Sequence, residues 1–264
     1  MGAGMNTEQA SHGQLLVAAD ATELTENAAR AVVERAAQAI DARGMFHVAL
    51  SGGNTPRPVY ERLAMSPYRD AVDWSRVQIF FSDERFVPLD SPDSNYHMAQ
   101  AALLSRVPIP ERFVHAVATV DIAPEEAASL YEEGIRRIFE VAPTEIPSFD
   151  LILLGMGSDG HTASLFPDTE ALTVTERLVT PNFVSKLDAW RITFTYPLIN
   201  AAHAVMFLIQ GSDKAGRLAQ VMRGETELPA ARVRPSNGEL LWMVDEAAAG
   251  SLPGERGSPP GSAV

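Results

Sequence analysis

The chain has no cysteine in 264 residues. That absence removes disulfides, thiolate metal sites and cysteine nucleophiles together, and it suits a reducing compartment. Basic residues are also scarce: 21 Lys and Arg stand against 34 Asp and Glu, a net charge of −13 with a sequence pI near 4.9. Such a balance argues against a nucleic-acid partner, and an anionic membrane surface would repel it. Any anionic ligand must then be held by cations gathered locally. No apolar run approaches the length needed to span a bilayer, so no membrane partner is expected. The opening MGAGMNTEQASHGQ lacks a basic region followed by an apolar one, and Asn6 stands where a myristoylation signal needs Ser or Thr. The expectation is a soluble, cytoplasmic protein.

What is present is an alternation of strand and helix patterns. QLLVAAD, MFHVALSGG, VQIFFSDER, FDLILLG, RITFTY, AVMFLIQG and ELLWMVD read as strands. Between them, helices are expected over 22–43, over 57–64 behind Pro56, from a Ser94 cap to about Leu104, over 124–140 and over 213–222. Alternation of this kind implies right-handed crossovers and a mostly parallel sheet covered on both faces. The expected organisation is a disordered lead-in over 1–12, one α/β domain over 13–246, and a disordered tail over 247–264 rich in Gly, Pro, Ser and Ala.

Three strands end in informative residues, where open α/β sheets gather ligands. The first is LILLGMGSDGHTASLFP, in which Gly155, Gly157 and Gly160 spell G-x-G-x-x-G. A dinucleotide turn needs a helix at the third glycine and an acidic residue about twenty positions on. Here Pro167 allows at most two helical turns, and ALTVTERLVTPNF then reads as polar and irregular. A catalytic loop fits better, with the glycines letting the backbone turn and approach a ligand closely; a plain tight turn is the remaining alternative. His161 sits where a general base is expected, and its neighbour Asp159 is placed to orient it; the alternative is a loop histidine that caps a short helix. Nothing nearby supplies a third metal ligand, so no metal is expected.

SGGNTP is the second. Ser51, Gly52, Gly53, Asn54 and Thr55 place glycines and hydroxyls where a strand meets a helix, so backbone N–H groups can face an anion; the alternative is an ordinary turn capped by Thr55. The third is Asp83, Glu84 and Arg85, expected to project from the sheet edge, with Arg85 able to clamp phosphate or carboxylate, or else to form a surface ion pair. Lys186, Arg191 and Lys214 are further cations near strand or helix starts, each of which taken alone reads as plain surface charge.

Taken together, SGGNTPRPVYERLA, FFSDERFVPLDSPDSNYHMA, FDLILLGMGSDGHTASLFP and RITFTYPLINAA resemble the lactonase branch of the glucosamine-6-phosphate isomerase/6-phosphogluconolactonase superfamily, from about Leu15 to Asp245. The resemblance implies a single α/β domain with a Rossmann-like sheet. It also implies hydrolysis of 6-phospho-D-glucono-1,5-lactone to 6-phospho-D-gluconate in the oxidative pentose phosphate pathway, without metal, nucleotide or other cofactor. The partner would be that sugar-phosphate lactone, met by a monomer or small homo-oligomer.

Residue by residue, the resemblance makes His161 the base that activates water, with Asp159 beside it. Ser51 to Thr55 become the substrate loop, with Asp83 and Gly157 also at the substrate. Arg85, Lys186, Arg191 and Lys214 match the basic positions for phosphate and developing oxyanion. One departure stands out: where that branch often has Lys followed by prolines, this chain has Lys186-Leu187-Asp188. The deaminase branch shares Asp-Gly-His but resembles Asp-Glu-Tyr and Ile-Ala-Phe-Asn-Glu-Pro, where this chain has Arg85 and Thr162 to Pro167. A sugar-phosphate sensor of a transcription regulator would bring a basic helix-turn-helix arm, for which neither terminus has room.

Overall fold

Local chemistry starts the first long helix of the computed structural model, which describes residues 7–10, 13–225 and 227–252. The Asp20 carboxylate accepts the N–H groups of Thr22 and Glu23, and Gly44, at φ 82°, closes the far end left-handed. In chain order the elements are β1 (Thr7–Ala10), β2 (Gly13–Ala18), α1 (Ala21–Arg43), β3 (Phe46–Leu50), α2 (Pro56–Leu63), α3 (Tyr68–Ala71), β4 (Val77–Phe81), β5 (Asp83–Arg85), α4 (Asn95–Ala102) and α5 (Pro124–Ile138). There follow β6 (Leu151–Leu154), β7 (Val179–Val184), β8 (Ala189–Phe194), α6 (Tyr196–Asn200), β9 (Ala204–Ile209), α7 (Ala215–Met222), β10 (Glu239–Asp245) and α8 (Glu246–Ala249).

Seven strands form one sheet in the order β1-β2-β10-β9-β6-β3-β4, parallel except for β1. The fold is therefore a single α/β domain with a mostly parallel, Rossmann-like sheet. Side chains alternate between its faces with a period of two. Leu151 and Leu153 of central β6 pack with Leu24 and Val32 of α1, while Ile152 and Leu154 pack with Tyr131 and Ile135 of α5 and Leu218 of α7. Both faces are covered, which is why β6 reads as an unbroken apolar run.

Several boundaries differ from the sequence expectation. VQIFFSDER is not one strand: it breaks at Ser82, whose N–H donates to Leu50 O (2.8 Å) while its carbonyl accepts from Phe194 N (2.8 Å). Beyond that joint β5 leaves the large sheet for a three-stranded antiparallel sheet, β5-β8-β7. The first four residues of RITFTY belong to this second sheet too, with Ile192 and Phe194 in the core, while Tyr196 already begins α6. The stretch read as irregular contains β7, an edge strand, which tolerates Pro181.

The expected termini need similar correction. Thr7–Ala10 pairs antiparallel with β2, and α8 carries the fully buried Ala248 and Ala249, so ordered structure continues past Ala247. Asp245 caps α8 by accepting Ala248 N at 2.8 Å. The rest of the expected lead-in and tail, residues 1–6, 11–12 and 253–264, lies outside the described residues.

Candidate active site

The chain runs from β3 outward to β4 and then returns to place β6 on the other side of β3. At such a reversal the loops following neighbouring strands diverge and leave a crevice at their carboxyl ends. A cavity of about 970 Å³ lies there, lined by Ser51 to Thr55, Asp83, Arg85, Gly157, His161 and Lys214 among others. Asp159, Lys186 and Arg191 are not in its wall: Asp159 contacts the lining His161, Arg191 pairs in register with the lining Arg85, and Lys186 reaches the wall through Asp159.

In the loop after β6, Gly157 N donates to His161 O and Gly160 N to Gly157 O, both at 2.9 Å, a turn closed by Gly160 at φ 83°. The turn brings His161 Nδ1 to 2.5 Å from Asp159 Oδ1, and the His161 N–H donates to the same oxygen. Lys186 Nζ donates to the other carboxylate oxygen, Oδ2. Partial burial pushes the Asp159 carboxyl up, but the hydrogen bonds from Lys186 and His161 outweigh it and hold the group far below the usual carboxylate range. Asp159 is thus an anion placed to accept Nδ1–H, and in the neutral imidazole that tautomer carries its lone pair on Nε2. Among the described residues no protein group hydrogen-bonds Nε2. A Cβ on Gly157 would lie 2.1 Å from His161 Nδ1, so a glycine is required beneath the imidazole.

In the loop after β3, Tyr60 clamps the backbone: its hydroxyl accepts Ser51 N (3.0 Å) and donates to Ser51 O (2.8 Å). Among the described residues, Ser51 Oγ is buried without a hydrogen-bond partner, as is Asn95 Oδ1. Thr55 has helical dihedrals and makes no side-chain cap, so the capping alternative is not what this loop does. Gly53, at φ 105°, needs the freedom of glycine, and a Cβ on Gly52 would fall 1.7 Å from Asn95 Oδ1.

Asp83 and Glu84 do not project from the sheet edge as expected; both are buried. Glu84 accepts Asn95 N, Tyr96 N and Ser94 Oγ, a carboxylate at the start of α4. Burial nonetheless raises its pKa against those donors. Asp83 accepts Ser164 Oγ at 2.7 Å and Asn95 Nδ2 at 3.3 Å, tying the Asp-Gly-His loop to β5 and α4. Sequence reasoning missed Asn95, Ser164 and Phe166. The only hint for Asn95 was its place directly after the Ser94 cap.

Arg85 pairs in register with Arg191 across the β5–β8 ladder. Among the described residues neither makes an ion pair; Arg85 Nη1 donates to Asp93 O and Arg191 Nη1 to Trp190 O. Burial first, then the positive Arg85, lower the pKa of Arg191. The carboxylates of Asp83, Glu84 and Asp93 act on Arg191 in the opposite sense, without an ion pair to either guanidinium among the described residues. Lys214 ion-pairs with Asp213 at 2.8 Å on the cavity wall. Lys186 comes from the turn between β7 and β8, where Asp188 takes a left-handed conformation at φ 47°. Among the described residues no three His, Cys, Asp or Glu side chains gather at metal-binding spacing.

The family model described as glucosamine-6-phosphate isomerases/6-phosphogluconolactonase matches residues 19–242. A 6-phosphogluconolactonase of Synechocystis sp. is 45% identical over 232 residues, 87% of this chain and 94% of the relative. A 6-phosphogluconolactonase of Homo sapiens is 40% identical over 243 residues, 90% and 93% of the two chains. Among solved structures, a 6-phosphogluconolactonase from Trypanosoma cruzi superposes with a TM-score of 0.82 at 32% identity, covering 93% of this chain and 100% of that one.

Proposed function

The chain belongs to the glucosamine-6-phosphate isomerase/6-phosphogluconolactonase family, and from that premise we propose that His161 activates the water with which it hydrolyses 6-phospho-D-glucono-1,5-lactone. The lactonase activity is that of relatives alike over nearly the whole chain. What supports the role of His161 is its contact with Asp159: a donor at Nδ1 leaves Nε2 as the base, on the wall of the cavity.

Water attacks the lactone carbonyl carbon as Nε2 takes its proton, and the carbonyl oxygen becomes a tetrahedral oxyanion. Asp159 offsets the imidazolium charge. Lys186, held on the same carboxylate, brings positive charge to that end of the site. The intermediate collapses by breaking the bond from the carbonyl carbon to the ring oxygen. The imidazolium returns its proton to that oxygen, which leaves as a hydroxyl on the opened chain, and the new carboxylic acid ionises. A lactone needs no covalent nucleophile for this.

The phosphate is assigned to Arg85, its register partner Arg191 and the backbone of Ser51 to Thr55, with Lys214 adding charge to the cavity lining. Binding a group remote from the reacting carbon positions the lactone for attack. With a net charge of −13, these cations act locally rather than by long-range steering. No helix among the described residues is long and apolar enough to cross a membrane, and the cysteine-free composition supports a cytosolic setting. The test is to present 6-phosphoglucono-1,5-lactone and glucosamine 6-phosphate to purified protein. Lactone hydrolysis above the spontaneous rate, lost in His161→Ala, is the expected result; release of ammonia from the amino sugar overturns it.

A further inference from the structure

Phe166 was part of the loop motif but carried no role in the sequence, and its surroundings supply one. Two residues beyond the left-handed Ala163 (φ 46°), Leu165 N donates to Thr162 O at 2.9 Å, and this tight turn folds Phe166 back beneath His161. The two rings stack with centroids 4.0 Å apart and planes 24° from parallel. Lys186 Nζ lies over the same ring, 4.6 Å from its centroid. Phe166 itself is buried, so the ring cannot move aside into solvent.

Resting on the lactonase mechanism above, we infer that the Phe166 ring is a positioning residue that holds the His161 imidazole and the Lys186 ammonium in their working places. Asp159 alone could not do this. It grips each partner at one atom, and a carboxylate contact leaves the imidazole free to swing and a long lysine free to leave. The half-exposed Lys186 side chain has water as a competing partner throughout. An aromatic face adds a second, planar restraint. Its negative quadrupole attracts the ammonium at all times and the imidazole most strongly once it has taken the proton of water. The floor therefore favours the charged stage of the reaction over the resting one. An aliphatic side chain of similar bulk would fill the space without that preference.

Fluorinating the ring in place tests this, because fluorine drains the quadrupole while keeping ring shape and packing. Phe166 is replaced by its monofluoro, difluoro and trifluoro analogues, and kcat and KM are measured with the phosphorylated lactone. The expected result is a stepwise fall in kcat reaching about 2- to 10-fold, with KM unchanged, since Phe166 is not among the residues that line the cavity. An unchanged kcat in the trifluoro protein, or a loss carried by KM, overturns the inference. Phe166→Leu and Lys186→Met, made singly and together, give an independent measure. A double variant little slower than the slower single supports the inference; losses that multiply overturn it. A parent protein without lactonase activity defeats both this inference and the mechanism it rests on. An active parent with a flat fluorine series defeats only the role of Phe166.

Discussion

His161 and Asp159 stand two residues apart in the chain, yet Nδ1 and Oδ1 meet at 2.5 Å because the intervening backbone turns through Gly160. The pair is made locally, by one loop. Lys186 reaches it from a different sheet. His161→Ala should lower kcat by about 10²- to 10⁴-fold while circular dichroism and the melting curve stay close to the parent. Asp159→Asn should lose at least about tenfold, because an amide can donate to Nδ1 and leave the proton on Nε2, the wrong tautomer for a base. Turnover near the parent rate in His161→Ala would remove the base from the mechanism.

Gly157→Ala is a sharper probe than its size suggests. The added methyl would lie 2.1 Å from His161 Nδ1 and 2.7 Å from Asp159 Oδ1. Overpacking of this kind costs about 1–3 kcal/mol. The cheaper escape is for the imidazole to move, so kcat should fall by at least about tenfold with a smaller loss of melting temperature. Unaltered kinetics would mean the ring geometry is not needed.

Arg85→Ala separates phosphate binding from oxyanion stabilisation. If the guanidinium holds phosphate, kcat/KM should drop by the equivalent of about 1.5–3 kcal/mol, with the rise in KM at least as large as the fall in kcat. The unphosphorylated lactone should be hydrolysed equally poorly by parent and variant. Inorganic phosphate should inhibit the parent better than the variant. A loss confined to kcat would move Arg85 to the oxyanion.

His115 predicts a pH dependence of stability far from the cavity. Burial first, then the positive charges of His47 and Arg137, lower its pKa to about 4 from 6.5. Below pH 6.5 the unfolded chain binds a proton that the folded ring refuses. Stability is therefore complete above that value and declines as pH falls toward 4. The slope should stay below the ~1.4 kcal/mol per pH unit of a single fully buried site, since the ring is partly exposed. Denaturant melts of parent and His115→Asn at pH 4.5, 5.5 and 7 check it; the difference between them should shrink as pH falls.

Ending the chain at Asp245 should lower the melting temperature by several degrees. The deletion removes Ala248 and Ala249 from the core and strips one acceptor role from Asp245, which also holds Gly211 N at 3.0 Å. Ending it after residue 252 is the control. A melting temperature equal to the parent's at Asp245 would make α8 dispensable.

Much of the local structure was legible in residue order. Apolar runs bounded by turn residues marked most of the parallel strands, Ser94 does accept His97 N, and Pro167 with the residues around it argued against a helix of a nucleotide turn after Gly160. These features depend on neighbours a few residues away, where backbone sterics and capping act. The same range explains why Asp159 could be placed beside His161 from sequence.

Tertiary structure decided the rest, because sequence carries no direct record of which strand hydrogen-bonds to which. Nothing in VQIFFSDER announces that Ser82 hands the chain from one sheet to another, burying Asp83 and Glu84 instead of exposing them. Nor does spacing reveal that β5 and β8 align Arg85 with Arg191, more than a hundred residues later. Gly52 and Asn95 meet only once α4 docks against the loop after β3, and Lys186 finds Asp159 only once β7 and β8 pair. Sequence by itself marked most of the strands and the loop that brings Asp159 to His161; the alignment of Arg85 with Arg191 and the contact of Lys186 with Asp159 came from long-range pairing, where the contacts are set by burial and register rather than by chain neighbours.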